Sequence, residues 1–401
     1  MKIVNLSILF FIFPLVIFIS LPSVCLPQFD FSQLDSDQFY QQLQNLTPDQ
    51  LKDLCYSTYN DLETLYLTGQ YPTLLSKIRI LIFGGSILGN EIFEADGFYY
   101  SARVLSRQGK ESQALQYLYR AYPIFEKNHE ISRQIKALEV MIRTTQNLNL
   151  WQDAKNYTEK LTALSEQSND DYGKVSSLLN QGVLSYHEKK IEEAEKKWVE
   201  IIQIDPNGQF SEITGLAYNH LAHIYLMKGN TTLAQQHFTE AFKLAERNQN
   251  RFLEFVLRLN YAEFLANYKY KFEMAIQSLN RCQQLIHEMD LTYQRLWVQN
   301  NLAVIYTQLG EFGKARYFLE EALSYQNQAG IPEDIGVLFN LGVLYWHLGQ
   351  LDDAKKYLIR AQQHSEIQND ILTHAKVLAN LGTIYKTRGN EHKAFDYYQK
   401  A

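Results

Sequence analysis

Apolar residues recur at helical spacing along most of the chain, and a turn residue separates one such segment from the next. Between 334 and 361, Leu338, Leu341 and Tyr345 share one helix face, and the same spacing resumes after Gly349. Gly349 stands where the first helix must stop, because glycine reaches left-handed backbone angles without steric cost. The pattern predicts two antiparallel helices joined by a tight turn. Such a hairpin cannot bury its apolar face alone, so it needs neighbouring hairpins.

The hairpin pattern returns about every 40 residues, in three separate columns of positions. In the middle of the first helix the column is Ala102, Ile142, Gly182, Ala222, Ala262, Ala303, Gly342 and Gly382. In the second helix it is Ala114, Ala154, Ala194, Ala234, Ala275, Ala315, Ala354 and Ala394. At the turn it is Gly69, Gly109, Asn149, Lys189, Gly229, Gly310, Gly349 and Gly389. This agreement predicts a stack of similar hairpins.

The repeated positions resemble the tetratricopeptide repeat. One copy carries the family pattern at Tyr218, Leu221, Ala222, Tyr225, Gly229, Ala234, Phe238 and Ala241. The resemblance implies an all-α, right-handed α-solenoid of helix-turn-helix hairpins, with eight repeats over 95–401 and a degenerate repeat-like segment over 51–94. The family's unit is about 34 residues long. Because the unit here is about 40, the helices are expected to be longer at their inter-repeat ends.

The amino terminus predicts export. Residues 1–25 contain one positive charge, a long apolar run and small residues near Cys25, the pattern of a signal peptide or an uncleaved signal anchor. We therefore expect a periplasmic or extracellular protein, with the membrane contacted only through such an anchor. Residues 26–50 form a polar segment with a short helix expected over 35–45, and Thr47–Pro48–Asp49 predicts the start of the next helix.

The apolar stretch ILIFGGSILG, at 80–89, contains three glycines. No Gly-Lys-Ser/Thr follows it, so the stretch does not predict a phosphate-binding loop. We interpret it as the second helix of the degenerate repeat, broken at Gly84–Gly85 before the next helix begins.

Composition excludes several classes of function. The net charge is −6 and no basic block is present, which argues against a nucleic-acid surface. The cysteines at 25, 55 and 282 lack the spacing of a metal site, and Cys55 and Cys282 are expected in the core. Neither a Gly-x-Ser-x-Gly elbow nor a paired-histidine zinc motif occurs. We therefore expect no enzyme activity, no cofactor and no small-molecule substrate.

Three histidines are weak candidates for a zinc site. His220 and His223 lie three residues apart on one predicted helix, and His187 falls in the neighbouring hairpin. Three imidazoles can bind zinc. The alternative interpretation is that they are polar residues of the surface lining the solenoid.

One further column predicts a binding surface. Two residues before the small residue of the first helix stand Asn60, Asn180, His220, Asn260, Asn301, Asn340 and Asn380. Asparagine is a mediocre residue inside a helix, so its recurrence requires a reason. The resemblance implies that this face lines a concave groove, where an amide can both donate to and accept from the main chain of an extended peptide. Alternatively, these amides brace neighbouring helices or reflect repeat duplication.

Aromatic and basic residues of the kind that dominate interface energetics are expected beside that column. They are Arg103, Arg107, Arg143, Trp297, Phe339 and Trp346. The leading hypothesis is therefore a non-enzymatic scaffold that binds an extended peptide or a partner protein in the groove. The alternative is the amino-terminal regulatory or sensor region of a larger effector, by analogy with arrays that precede a CHAT-type protease or another signalling domain.

Overall fold

A computed structural model describes residues 36–291, 293–329, 331, 333–367 and 371–401. The residues it describes form nineteen helices and no strand, which confirms the all-α prediction. The segment predicted as a signal peptide or anchor, 1–25, lies outside this range, so export stays a prediction. The helices are α1 Ser36–Gln44, α2 Pro48–Leu67, α3 Tyr71–Leu88, α4 Glu91–Arg107, α5 Glu111–Lys127, α6 Ile131–Asn147, α7 Trp151–Ser168, α8 Asp171–His187, α9 Ile191–Ile204, α10 Ser211–Met227, α11 Thr231–Arg247, α12 Arg251–Lys269, α13 Phe272–Met289, α14 Arg295–Gln308, α15 Phe312–Ala329, α16 Ile335–His347, α17 Leu351–Ile367, α18 Ile371–Thr387 and α19 Glu391–Lys400.

The first two helices begin where the sequence indicates. The short helix expected over 35–45 is α1, and α2 begins at Pro48 with Thr47 as its N-cap. Thr47 Oγ1 accepts a hydrogen bond from Gln50 N, and Gln50 Oε1 accepts one from Thr47 N. This reciprocal pair satisfies two amide groups that the first helical turn would otherwise leave without partners.

The turns between helices use left-handed backbone angles. All eight residues of the predicted turn column have positive φ, including Asn149 (59°) and Lys189 (64°). Positive φ also occurs at turns outside that column, at Gly89, at Gly208 and at five residues that are not glycine. These residues are His129, Asn169, Gln249, Tyr270 and Asp290. The chain therefore reverses about every 20 residues, although glycine marks only half of the reversals.

Small residues let the paired helices approach each other closely. The alanines of the second-helix column are all buried, at 0 to 3% exposure. A Cβ atom at Gly342 would lie 2.6 Å from Leu358 Cγ, and one at Gly182 would clash with the Trp198 indole. In both cases the large residue lies sixteen positions after the glycine. The small position thus receives a bulky side chain from the second helix of the same hairpin.

Parallel aromatic rings also join the two helices of several hairpins. The tyrosine of the first helix stacks on a ring twelve residues later, with planes within 12° of parallel and centroids 5.2 to 5.7 Å apart. The pairs are Tyr225–His237, Tyr306–Phe318, Tyr345–Tyr357 and Tyr385–Tyr397. The family pattern indicates the tyrosine but not its partner.

The expectation of a helix break at Gly84–Gly85 is wrong. Helix α3 runs without interruption to Leu88 and ends at Gly89, whose φ of 64° reverses the chain. A Cβ atom at Gly84 would lie 2.6 Å from Cys55 Sγ on α2. The glycines therefore allow α3 to lie close against its neighbours rather than break it. Cys55 and Cys282 are both buried, as expected.

Among the described helices, α3 alone is long and apolar enough to cross a membrane by length and composition. A third of it is buried. Tyr71, Leu74, Ile78 and Leu81 are its fully buried large side chains. Core helices of soluble proteins meet the same criterion, so this finding is weak evidence for membrane insertion.

The described chain divides into two compact units, each with its own core. The N-terminal unit comprises the residues up to 257 together with 284–293, and the C-terminal unit comprises 258–283 and 294–401. In the N-terminal unit, Trp198 on α9 is fully buried among apolar residues of α8 and α10. In the C-terminal unit, Leu338, Leu358 and Leu381 bring α16, α17 and α18 into one cluster.

Candidate binding face and internal ion pairs

Arg103, one of the predicted groove residues, is held by its own unit. Its guanidinium donates to both carboxylate oxygens of Glu63 on α2, at 2.5 and 3.0 Å. It also lies 3.6 Å from the centroid of the Tyr66 ring. Burial disfavours the charged form, but the Glu63 carboxylate outweighs this and raises the pKa of Arg103 well above its usual value.

Arg107 makes a contact that skips two hairpins. It forms an ion pair with Glu212 of α10, donates from Nε to Tyr66 Oη at 2.6 Å, and lies 3.8 Å from the centroid of the Phe252 ring. Glu212 Oε2 also accepts from Asn250 Nδ2 at 3.1 Å. Hairpins α6–α7 and α8–α9 lie between α4 and α10 in sequence. Repeats in a solenoid ordinarily contact only their neighbours.

The charge state of Glu212 follows from this pairing. Burial acts to raise the pKa of its carboxyl, yet the guanidinium groups of Arg107, Arg143 and Arg103 outweigh burial and hold the pKa at about 2. Arg143 itself lies 3.6 Å from Glu139 on the same helix, and Tyr172 Oη donates to that carboxylate. All three predicted basic groove residues are therefore engaged by carboxylates of the N-terminal unit.

The three candidate zinc histidines do not converge. His187 stacks on Trp151 with centroids 3.7 Å apart, His220 stacks on Trp198 at 4.6 Å, and His223 meets Phe238 edge-on at 6.0 Å. Across the described part of the chain, no group of three His, Cys, Asp or Glu side chains is arranged to hold a metal ion. Each of the three imidazoles packs against an aromatic ring instead.

Acid should destabilise the N-terminal unit through these histidines. Burial lowers the pKa of His220 to about 3, with a smaller effect from His223, and burial lowers the pKa of His223 to about 4. Both stay neutral when folded but take up protons once unfolded, so their stabilisation is present above pH 6.5 and is lost as pH falls towards 4. We expect His223 alone to contribute about 2 kcal/mol to this loss.

Urea unfolding between pH 7.5 and 4.5 measures the effect as the slope of unfolding free energy against pH. His223→Gln should flatten the slope even if it lowers stability at every pH. His392, which is 89% exposed in its side chain, supplies the matched control His392→Gln. Parallel slopes for wild type and His223→Gln would contradict the prediction.

In the C-terminal unit, the asparagines of the column differ in burial and in hydrogen bonding. Asn260, Asn301 and Asn340 are buried, at 0, 0 and 4% exposure, and Asn380 is half-buried. Asn340 Nδ2 donates to Asn300 Oδ1 of the preceding first helix at 2.9 Å. Neither amide atom of Asn301 has a hydrogen-bond partner. One amide thus bridges two helices, while the next has unmet hydrogen-bonding capacity.

Two members of the column bond within their own helix. Asn180 Nδ2, in the N-terminal unit, donates to Ser176 O at 2.8 Å, and Asn380 Nδ2 donates to Lys376 O at 2.9 Å. Each bond joins residues four apart. The column therefore has mixed roles: bonding within the helix at Asn180 and Asn380, and bonds between helices at Asn340 and at Asn180, whose Oδ1 accepts from Gln146 Nε2 of α6 at 3.5 Å.

The predicted aromatic residues lie on the same helices as the amides. Trp297 on α14 and Phe339 on α16 are 8% and 1% exposed, and Trp346 is half-buried. We call the first-helix positions Asn260, Trp297, Asn301, Phe339, Asn340 and Asn380 the ladder face. Its side chains are largely withdrawn from solvent in the free chain.

Sequence reasoning missed two residues beside the ladder face. Asn300 directly precedes Asn301 and accepts from Asn340; the Asn–Asn doublet was the available signal. Glu263, on α12, is 5% exposed, and its Oε2 has no hydrogen-bond partner. No pattern in the sequence marks it, because a single glutamate in a helix ordinarily faces solvent.

Comparison with known proteins agrees with the hairpin geometry. Models of the tetratricopeptide repeat match residues 216–248, 295–329 and 334–401. A heat shock protein sti1 homologue of Schizosaccharomyces pombe is 38% identical over 89 residues, which are 22% of this chain and 15% of that relative. The class defined by the fold is an all-α array of helix hairpins. The chain therefore contains tetratricopeptide repeats over these residues.

Two solved structures resemble most of the chain. The apo form of the quorum sensor NprR from B. thuringiensis is 14% identical, with a TM-score of 0.56, over 86% of this chain and 96% of that one. Aspartyl phosphate phosphatase F from Bacillus subtilis is 15% identical, with a TM-score of 0.53, over 86% and 92%. At such low identity the likeness concerns the fold alone.

Proposed function

We propose that this protein is a non-enzymatic scaffold whose ladder face binds an extended segment of a partner protein. The observation that carries the proposal is Asn301. Its amide is fully buried and neither of its polar atoms is bonded. Leaving such a group unsatisfied costs about 1–3 kcal/mol. A peptide main chain supplies both the donor and the acceptor that this amide lacks.

The surroundings of Asn301 support a main-chain ligand. The Asn340–Asn300 bond continues the line of amides onto the next first helix, and Trp297 and Phe339 provide apolar area beside it. Tetratricopeptide arrays are repeat scaffolds with extended concave binding surfaces. Because the ladder face is closed in the free chain, binding includes an opening step, which lowers the apparent affinity by the fraction of open molecules.

Asn301→Ala tests the proposal against a pool of synthetic heptapeptides. Losing two main-chain hydrogen bonds of about 1 kcal/mol each should weaken the affinity for selected peptides about tenfold or more. The stability of the free chain should not fall, because the wild-type amide makes no bond that the substitution breaks and its unsatisfied burial is itself costly. Fluorescence polarisation measures the affinity, and urea unfolding measures the stability.

Two controls separate main-chain recognition from other effects. Asn327→Ala, at an exposed position on α15, should leave both measurements unchanged. Peptides of the same sequence with N-methylated backbones should lose binding, since they lack the amide donors. Equal affinity of Asn301→Ala and wild type, or full binding of the methylated peptides, would exclude the proposed recognition.

A further inference from the structure

Glu263 differs in burial and in bonding from two other partly buried carboxylates of the C-terminal unit. Glu321 accepts from Gln299 Nε2 at 2.7 Å and pairs with Arg295, and Glu333 pairs with Arg360. Glu263 is more deeply buried than either, at 5% exposure, and its Oε2 accepts no hydrogen bond. A buried carboxylate oxygen that accepts no hydrogen bond is costly. Glu263 therefore requires a structural or functional explanation.

The position of Glu263 relates it to the ladder face. It follows Asn260 by three residues on α12, so the two side chains share one face of that helix. The ionisable group whose charge acts on it is Lys376 of α18, although α14 and α16 intervene in sequence. Asn380 donates to the main chain of Lys376. Along the chain, Glu263 on α12 therefore precedes the helices that carry Asn301 and Asn340, and Lys376 on α18 follows them.

In the free chain the carboxyl of Glu263 is held as the neutral acid. Burial raises its pKa to about 8, and the opposing effect of Lys376 is too weak to restore ionisation at pH 7. A cationic group that enters beside Glu263 would ionise it and form a charge-assisted hydrogen bond, which is stronger than a neutral one. The amide of Asn301, on the next first helix, is uncharged and cannot form such a bond.

We propose that Glu263 is a specificity-determining residue that selects ligands carrying a basic group beside the segment bound by Asn301. The basic group is a Lys or Arg side chain or a free peptide α-amino group. This inference rests on the proposed function, because it assumes that the ladder face binds peptide. It adds the charge of the ligand, which the asparagine column leaves open.

A positional-scanning pool of heptapeptides tests the inference. Each position in turn is fixed as Arg, Lys, norleucine, citrulline or Glu, in amino-free and acetylated series. We expect wild type to favour Arg or Lys over norleucine about tenfold or more at one position, or the amino-free series over the acetylated one. Glu263→Gln, which keeps the shape and removes the charge, should abolish that preference. Glu311→Gln, at a more exposed carboxylate on the same unit, should retain it.

A second measurement uses wild type alone and so does not depend on a variant folding. Calorimetry at pH 7 in two buffers of different ionisation enthalpy should show proton release with a basic peptide but not with its norleucine counterpart. Binding that depends on Asn301 but shows no basic preference would overturn this inference and leave the scaffold proposal standing. Absence of peptide binding, or binding independent of Asn301, would overturn both.

Discussion

Arg107→Ala is expected to lower the unfolding free energy by about 3 kcal/mol or more. The substitution removes the cation that pairs with Glu212 and also the donor that bonds Tyr66 Oη. Arg107 is buried, so the cost is dominated by the polar groups that it leaves behind. Urea unfolding measures the loss. Hydrogen exchange should locate the first increase in opening at α4 and α10, the two helices that the ion pair joins.

Lys127→Ala is the matched control for Arg107→Ala. Lys127 pairs with Glu91 at 2.8 Å, but its side chain is 67% exposed, so its removal should cost less than about 1 kcal/mol. The double variant Arg107→Met/Glu212→Leu should recover much of the loss, because it removes both charges from the interior. Equal effects of Arg107→Ala and Lys127→Ala would show that the contact between non-neighbouring hairpins is not stabilising.

Trp198→Ala is expected to cost about 3–5 kcal/mol through the cavity that it opens. The indole is fully buried between α8 and α10, fills the space left by Gly182, and donates from Nε1 to Leu179 O at 3.2 Å. Its loss removes packing within its own hairpin and against α10 of the following one. The midpoint of urea unfolding, followed by far-ultraviolet circular dichroism, measures the cost.

Tyr317→Ala provides the corresponding surface substitution. Tyr317 is 60% exposed on α15, so its truncation should change the unfolding free energy by about 0.5 kcal/mol or less. A further variant, Gly182→Ala, should also destabilise the chain, because the added methyl group would clash with the Trp198 ring. If Trp198→Ala lowered the unfolding free energy no more than Tyr317→Ala does, the hairpin cores would not depend on the Trp198 side chain.

The sequence predicts the repeating hairpin and most of its internal details. Periodicity and the turn column identify the helices, and residues such as Gly349 and Ala354 have one physical role wherever the hairpin occurs. The prediction fails at Gly84–Gly85, because a glycine inside a helix signals either a break or a close approach. A Cβ atom at Gly84 would lie 2.6 Å from Cys55 Sγ, so the glycine here allows α3 to approach α2 closely. That decision depends on a neighbouring helix, which local pattern does not specify.

The candidate site was only partly visible in the sequence. The asparagine column correctly marks a set of first-helix positions, but it does not distinguish Asn301, whose amide has no partner, from Asn340, which donates to Asn300. Arg103 and Arg107 were expected in an open groove, whereas Glu63 and Glu212 engage them. Hydrogen-bond partners lie 40 and 105 residues away in these cases, so no sequence window contains both members.

The sequence by itself therefore determined the hairpin, its period of about 40 residues and the positions that must be small, because these follow from local backbone geometry and from contacts within one repeat. Only the tertiary structure decided which polar side chains satisfy one another. Contacts between helices that are distant in sequence produce the burial of Glu263 and the Arg107–Glu212 pair. They also leave both polar atoms of the Asn301 side chain without a hydrogen-bond partner. The energy of a polar group depends on its solvent exposure and its partners, and the fold sets both.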